Sequence, residues 1–127
     1  MIGLPSLSQL DRSSGSTRIW LAAASADMRC GFDRLADLAK QVTEQDPTSG
    51  HLFLFRSRGG DRLKVLYWDK DGYALWYKRL EVGVFKLPRP PTSEAKSVEL
   101  RASELAMLLD GIDLRSVKRA ARYQKKV

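Results

Sequence analysis

Aromatic and basic residues are concentrated together between residues 51 and 80. Seven of the eleven aromatic residues lie there, namely Phe53, Phe55, Tyr67, Trp68, Tyr73, Trp76 and Tyr77. The same stretch holds seven basic residues, namely Arg56, Arg58, Arg62, Lys64, Lys70, Lys78 and Arg79. Proteins that bind single-stranded nucleic acids stack bases on aromatic rings and follow the phosphates with Arg and Lys. The pattern predicts either such a surface or an aromatic core bordered by solvated charges.

Strand alternation favours the core for part of this set. Phe53 and Phe55 fall on one face of their strand, and Leu52 and Leu54 fall on the other. We expect helices to cover both faces. The cluster Arg56, Arg58 and Arg62 lies at a predicted hairpin tip, where phosphate contact, partner contact and plain solvation all stay open. Because Trp, Tyr and Arg anchor protein interfaces, Trp68, Trp76 and Tyr77 are candidate partner contacts.

Most of the excess positive charge lies at the C-terminus. The chain of 127 residues has a formal net charge of +7, and residues 115–127 hold six basic residues and no acidic one. The candidate phosphate contacts there are Lys118, Arg119, Arg122, Lys125 and Lys126. Such a segment attracts any polyanion by counterion release, although a merely solubilising tail has the same composition. We divide the chain into a flexible leader (1–16), one domain (17–114) and a basic tail (115–127).

The acidic residues do not form a recognisable metal or catalytic motif. Asp69 and Asp71 near Gly72 superficially resemble a calcium loop, but Tyr67 and Lys78 occupy positions that need oxygen ligands. A hairpin turn explains them better. The sequence predicts no catalytic residues, no metal site and no cofactor, and a metal-dependent nuclease is the weakest of the functions considered.

His51 and Cys30 are the sole residues of their types. We interpret His51 as the first residue of a strand rather than as a general base. The sequence shows no base and no orienting group that would make Cys30 a nucleophile. A single cysteine allows no internal disulfide, which favours the cytoplasm.

No apolar stretch has the length of a membrane helix, so no membrane association is expected.

The hydrophobic pattern divides the chain into short strands and two helices. Apolar runs between turn residues predict strands over 17–22, 51–56, 62–68, 73–80, 84–87 and 97–100. Helical spacing predicts one helix over 32–45, before Asp46-Pro47, and another over 102–110 that Gly111 terminates. Ser25 and Asp27 are candidate caps. Short connections favour an α+β domain in which an antiparallel meander of four to five strands packs with one or two helices.

Several motifs in order resemble one protein family. They are Asp27-Met28-Arg29, Gly31-Phe32-Asp33, the run from Gly50 to Phe55, the run from Gly60 to Gly72, the run from Trp76 to Glu81, and the segment from Leu105 to Asp113. Over about residues 17–114 the chain resembles the TnpB accessory protein of IS66-type bacterial insertion sequences, which differs from the RNA-guided nuclease of the same name.

The resemblance implies an accessory role in DNA transposition beside a separate, larger transposase. It brings no catalytic residues to carry over. The family more often has a basic residue where this chain has Cys30, and the tail beyond Asp113 is longer and more basic than is usual.

Two functional hypotheses follow. The first is a non-catalytic, DNA-associated accessory protein, with a body contact surface of Arg56, Arg58, Arg62, Lys64, Lys78 and Arg79, a weaker contact at Arg29, and the tail as a phosphate anchor. The second is an interaction module that docks on the transposase or self-associates and touches DNA little. The oligomeric state is left open.

Overall fold

The computed structural model describes residues 17–111 of the chain. It contains five strands and two helices, in the order β1 (Ile19–Ala22), α1 (Phe32–Thr43), β2 (Leu52–Arg56), β3 (Arg62–Asp69), β4 (Gly72–Arg79), β5 (Ser97–Leu100) and α2 (Ala102–Leu109). The predicted α+β class and single-domain architecture are confirmed. The predicted leader 1–16 and tail 115–127 lie outside the described residues.

The sheet is mixed, in the order β4-β3-β2-β1-β5. β2, β3 and β4 form the predicted antiparallel meander. β1 pairs with β2 in parallel and with β5 antiparallel, two pairings that the sequence prediction did not specify. The physical reason for the parallel pairing is the helical crossover: α1 carries the chain back along the sheet, so β2 starts at the same end as β1.

Both faces of the sheet are covered. Phe53, Phe55 and Leu66 pack against α1 through Leu35 and Ala39. The other face packs against α2 and is larger, with Leu52, Leu54, Leu63, Val65, Tyr67, Trp76, Leu105 and Leu108 in one buried cluster. The alternation predicted for residues 52–55 is confirmed, and all four of these side chains are buried.

The helix ends follow local backbone chemistry. α1 begins after Gly31, which supplies no side-chain cap, so the expected capping by Ser25 or Asp27 does not occur. It ends at Thr43, before Asp46-Pro47 as predicted, because Glu44 adopts the left-handed conformation at φ 58°. At the start of α2, the Arg101 backbone N–H donates to Glu104 Oε1 at 2.9 Å.

The predicted fourth meander strand over 84–87 is wrong. Gly83 turns the chain at φ 81°, and the following segment joins the hairpin tip through one bond, from the Phe85 N–H to the Gly60 carbonyl at 2.8 Å. Phe85 is buried on the α2 side, while Val84 is exposed. Side-chain burial therefore holds this segment in place without a strand ladder. The last strand, β5, is an edge strand as expected.

Within the described part of the chain, neither helix has the length and apolar character that crossing a membrane requires.

Candidate nucleic-acid interface

Arginine side chains collect at one end of the sheet. β2 ends at Arg56, β3 begins at Arg62 and β4 ends at Arg79, and the antiparallel pairing brings these three termini to the same end. The parallel pairing of β1 with β2 brings the loop after β1 to this end as well, with Arg29 in it. Loops at the carboxyl ends of parallel strands commonly form binding sites in α/β sheets. We call this region the basic end.

A groove at the basic end is lined by Arg29, Arg58 and Arg62. It has a volume of about 580 Å³ and lies between the loop that follows β1 and the β2–β3 turn. Arg29 and Arg58 are exposed, whereas Arg62 is half-buried. The structure thus brings together three predicted DNA contacts from segments about thirty residues apart in sequence. Guanidinium groups are well suited to oxyanions because their N–H donors match the geometry of phosphate oxygens.

Asp27 holds Arg29 in this groove. Its carboxylate accepts bonds from the Arg29 Nη2 at 2.8 Å and Nε at 3.1 Å, and from the Arg29 backbone N–H at 2.9 Å. The bonds from the Arg29 side chain, followed by that from its backbone, lower the pKa of the Asp27 carboxyl to about 2. Asp27 is therefore ionised at neutral pH and competes with any incoming anion for Arg29.

The β2–β3 turn is braced by its own hydrogen bonds. The Ser57 N–H donates to the Arg62 carbonyl at 3.0 Å, and the Arg62 N–H donates to Ser57 Oγ at 3.0 Å. The Ser57 hydroxyl donates to Asp61 Oδ1 at 3.2 Å. Gly60 supplies the left-handed backbone at φ 82°. These contacts set the positions of Arg58 and Arg62 relative to the sheet.

The remaining arginines at the basic end have intramolecular partners. Arg56 Nη2 donates to the Ala23 carbonyl at 3.1 Å, which ties the end of β2 to the loop after β1. Arg79 lies directly opposite Arg62 in the β3–β4 ladder and forms an ion pair with Glu81 at 3.0 Å. Because like charges placed opposite each other in a sheet repel, the Glu81 carboxylate offsets part of that repulsion.

Lys64 does not belong to the exposed surface, which corrects its assignment as a DNA contact. It is buried with 6% exposure, and its ammonium donates to the carbonyls of Met28 at 2.7 Å and Cys30 at 2.8 Å. Its Nζ also lies 4.8 Å from the centre of the Tyr77 ring. A buried ammonium must be paired, and here two backbone carbonyls pair it. Lys64 therefore fastens the Arg29 loop to the sheet.

The three candidate partner residues lie in different environments. Trp76 is buried in the core on the α2 side, which corrects its assignment as a candidate partner contact. Trp68 is half-buried, donates from Nε1 to the Lys70 carbonyl at 3.1 Å and meets the Tyr73 ring edge-on at 5.1 Å. Tyr77 is 48% exposed. Strand parity explains the contrast, because neighbouring residues face opposite sides of the sheet.

Lys78 lies apart from the arginine groove. It lines a second, smaller groove of about 260 Å³ with Leu80, Val84 and Leu109, near the end of α2. The five predicted tail contacts, Lys118, Arg119, Arg122, Lys125 and Lys126, lie outside the described residues.

Sequence reasoning missed the roles of Asp27 and Ser57. The sequence indicates Asp27 as a candidate helix cap, whereas it pairs with Arg29. Its position two residues before an arginine in a short loop is the signal that could have identified an Asx-type turn. Among the described residues, no group of three or more His, Cys, Asp or Glu side chains is arranged to hold a metal ion.

The structure is that of a small α+β protein with a cluster of arginines at one end of its sheet. The chain belongs to the family of IS66 Orf2-like proteins, whose family model matches residues 17–119. This confirms the resemblance to the TnpB accessory proteins of IS66-type insertion sequences, and the protein is a transposition-associated accessory protein.

Two relatives come from Sinorhizobium fredii. The uncharacterized protein y4hO is 38% identical over 113 residues, which cover 89% of this chain and 96% of the relative. The uncharacterized protein y4jC is 35% identical over 106 residues, which cover 84% of this chain and 88% of the relative. No solved structure shows significant similarity to the chain.

Proposed function

We propose that this protein binds DNA through the basic end of its sheet and serves transposition as a non-catalytic accessory factor. The observation that carries the proposal is the convergence of Arg29, Arg58 and Arg62 on one groove. Arg56 and Arg79 border the same end of the sheet. Phosphate contacts of this kind position a protein on DNA without reading its sequence.

The charge distribution supports the choice of this end. The β3–β4 turn at the opposite end of the sheet carries Asp69, Lys70 and Asp71, with one more negative than positive charge. A polyanion is therefore attracted to one end of the domain and repelled from the other, which orients the domain on the duplex. The tail residues 115–127 add a second, sequence-independent attraction in this proposal.

A protein partner is also part of this proposal. We include the separate transposase of the element as that partner, with the cytoplasm as the place of action. Of the three aromatic candidates for such a contact, the exposed Tyr77 and the half-buried Trp68 remain once Trp76 is assigned to the core.

Salt-dependent fluorescence anisotropy tests the DNA contact. Full-length protein is titrated with element-end duplex, unrelated duplex and single strand across a range of salt concentrations. The groove variant replaces Arg29, Arg58 and Arg62 with Gln. Because each released counterion contributes about 0.9 to the log–log salt slope, this variant is expected to lower the slope by up to about 2.7.

Two further variants separate the body from the tail. Lys70→Asn removes one charge from the exposed turn at the opposite end of the sheet and is expected to leave affinity nearly unchanged. Replacement of Lys118, Arg119, Arg122, Lys125 and Lys126 with Gln is expected to lower the slope by up to about 4.5 for every DNA alike. A groove variant that binds like the wild type, with all affinity lost in the tail variant, would contradict the role assigned to the basic end.

A further inference from the structure

Among residues 17–111, β4 forms an open edge of the sheet. It is the last strand in the order β4-β3-β2-β1-β5, and no other strand in the described residues pairs with its outer side. It is eight residues long, whereas the other edge strand, β5, has four. Its last three residues, Tyr77, Lys78 and Arg79, are exposed. A long edge strand presents unpaired backbone donors and acceptors that can add another strand.

The pairing with β3 determines which backbone groups face outward. The Leu80 N–H donates to the Asp61 carbonyl at 2.8 Å, in the same register as the Asp69–Gly72 pair that closes the turn. Hydrogen-bonded pairs alternate along an antiparallel ladder, so the even-numbered residues of β4 bond to β3. The backbone groups of Tyr73, Leu75, Tyr77 and Arg79 therefore face the open edge.

The side chains of these outward-facing residues are complementary to a second copy of the same strand. When two β4 strands run antiparallel with Leu75 opposite Leu75, Tyr73 lies opposite Tyr77. Asp71, in the turn just before β4, then comes level with Arg79. Aromatic pairs and opposite-charge pairs stabilise neighbouring strands. Arg79 already contacts Glu81, but a guanidinium carries five N–H donors and can bond to a second carboxylate.

Neighbouring registers are less favourable. In a dimer whose two-fold axis is perpendicular to a continuous sheet, one residue of β4 faces the same residue of the second copy. Every allowed register therefore pairs odd-numbered residues with odd-numbered residues. The next register in one direction places Tyr73 opposite Arg79. The next in the other direction places Tyr73 opposite Leu75. Only the register centred on Leu75 keeps the aromatic pair of Tyr73 and Tyr77, so that register is selected.

We infer that this protein forms a symmetric dimer in which β4 of one copy pairs antiparallel with β4 of a second copy, centred on Leu75. The resulting sheet has ten strands, and the two basic ends point in opposite directions along it. The proposal stands on the geometry of the β4 edge and does not depend on DNA binding.

Sedimentation velocity of the full chain tests the dimer. Because edge pairing buries little surface, a concentration series from roughly 1 to 500 µM covers the affinities typical of weak interfaces. Wild type is expected to shift from monomer to dimer. Asp71→Lys and Arg79→Glu are each expected to weaken the dimer at least tenfold, and the double variant Asp71→Lys/Arg79→Glu is expected to recover most of the loss. Glu94→Lys and Arg89→Glu, which change equivalent charges at exposed positions outside β4, are the controls.

A disulfide tests the register. In a Cys30→Ser background, Leu75→Cys is expected to form a disulfide-linked dimer, because facing Cα atoms about 5.5 Å apart lie within disulfide range. Tyr73→Cys, whose copies would lie roughly 13 Å apart along the strands, is expected to remain unlinked. A wild-type monomer at all concentrations, a dimer equally tolerant of Asp71→Lys and of the controls, or a double variant no tighter than the single ones would overturn the proposal.

Discussion

The ammonium of Lys64 donates a hydrogen bond of 2.7 Å to the backbone carbonyl of Met28. This bond joins the middle of the sheet to the loop that carries Arg29, thirty-five residues earlier in the chain. The basic end therefore depends on a cation that itself does not reach the solvent. Loss of Lys64 should be distinguishable from loss of a residue that contacts DNA.

Lys64→Met keeps the length of the side chain and removes the ammonium, leaving two carbonyls without their donor. We expect a loss of about 1–3 kcal/mol in the free energy of unfolding, measured by urea denaturation. We also expect weaker DNA binding with an unchanged salt slope, because no phosphate contact is removed. Lys40→Met on the exposed face of α1 is the control, with an expected stability change within about 0.5 kcal/mol. A log–log salt slope that is lower by about one would instead indicate that Lys64 contacts a phosphate.

Asp27→Asn should strengthen anion binding at the basic end. The amide oxygen can still accept the Arg29 backbone N–H, while the negative charge that holds the guanidinium is gone. We expect tighter DNA binding and a salt slope larger by up to about 0.9 in anisotropy titrations. In an Arg29→Gln background the same change should have a smaller effect. Equal gains in both backgrounds would show that Asp27 acts on DNA without Arg29.

The ion pair between Asp27 and Arg29 also determines the pH at which the Asp27 carboxylate becomes protonated. Folding lowers the pKa of Asp27 from 3.8 to about 2. The ion pair with Arg29 therefore stabilises the fold fully above pH 3.8, the pKa in the unfolded chain, and this stabilisation is lost as the pH falls towards 2. DNA binding should therefore show no titration of Asp27 between about pH 5 and 8.

His51 should make the fold sensitive to mild acid. Its Nδ1 accepts the Arg18 backbone N–H at 3.0 Å, and burial, followed by the charge of Arg18, lowers its pKa below the usual 6.5. The unfolded chain then binds a proton that the folded chain resists, so stability is full above about pH 6.5 and falls as the pH drops below it. We expect Tm to decrease between about pH 7.5 and 5.5. His51→Asn, which keeps an acceptor near the same position, should remove much of that decrease, and an unchanged pH profile would assign it to other groups.

Gly60→Ala should loosen the β2–β3 turn. Gly60 has φ 82°, and an added Cβ would lie 3.4 Å from the Val84 Cβ. We expect a cost of about 1–2 kcal/mol in urea denaturation, since a left-handed backbone is strained for residues with a side chain. Gly31→Ala is the control, because its φ is −97° and an added Cβ would meet no atom within 4 Å. Equal stability of the two variants would show that the turn accommodates the substitution.

Much of the fold could be predicted because its signals are local. The helical spacing of Leu35 and Ala39 and the Asp46-Pro47 boundary define α1, and glycine turns separate β2, β3 and β4. The segment 84–87 has the composition of a strand, but after Gly83 it bonds to the β2–β3 turn through the Phe85 N–H and packs through the Phe85 side chain instead of pairing with β4. Composition measures the tendency of a segment to be a strand and does not reveal whether the segment pairs with a strand or packs through a side chain.

The sequence by itself determined the α+β class, the alternation that buries residues 52–55 on both faces, the excess of basic charge and the family resemblance. Only the tertiary structure decided that β1 lies parallel beside β2, that Arg29 joins Arg58 and Arg62 in one groove, and that Lys64 and Trp76 are buried. The first group depends on residue type and short-range spacing, which any window of the chain contains. The second depends on which strands become neighbours, and that is set by burial over the whole sheet.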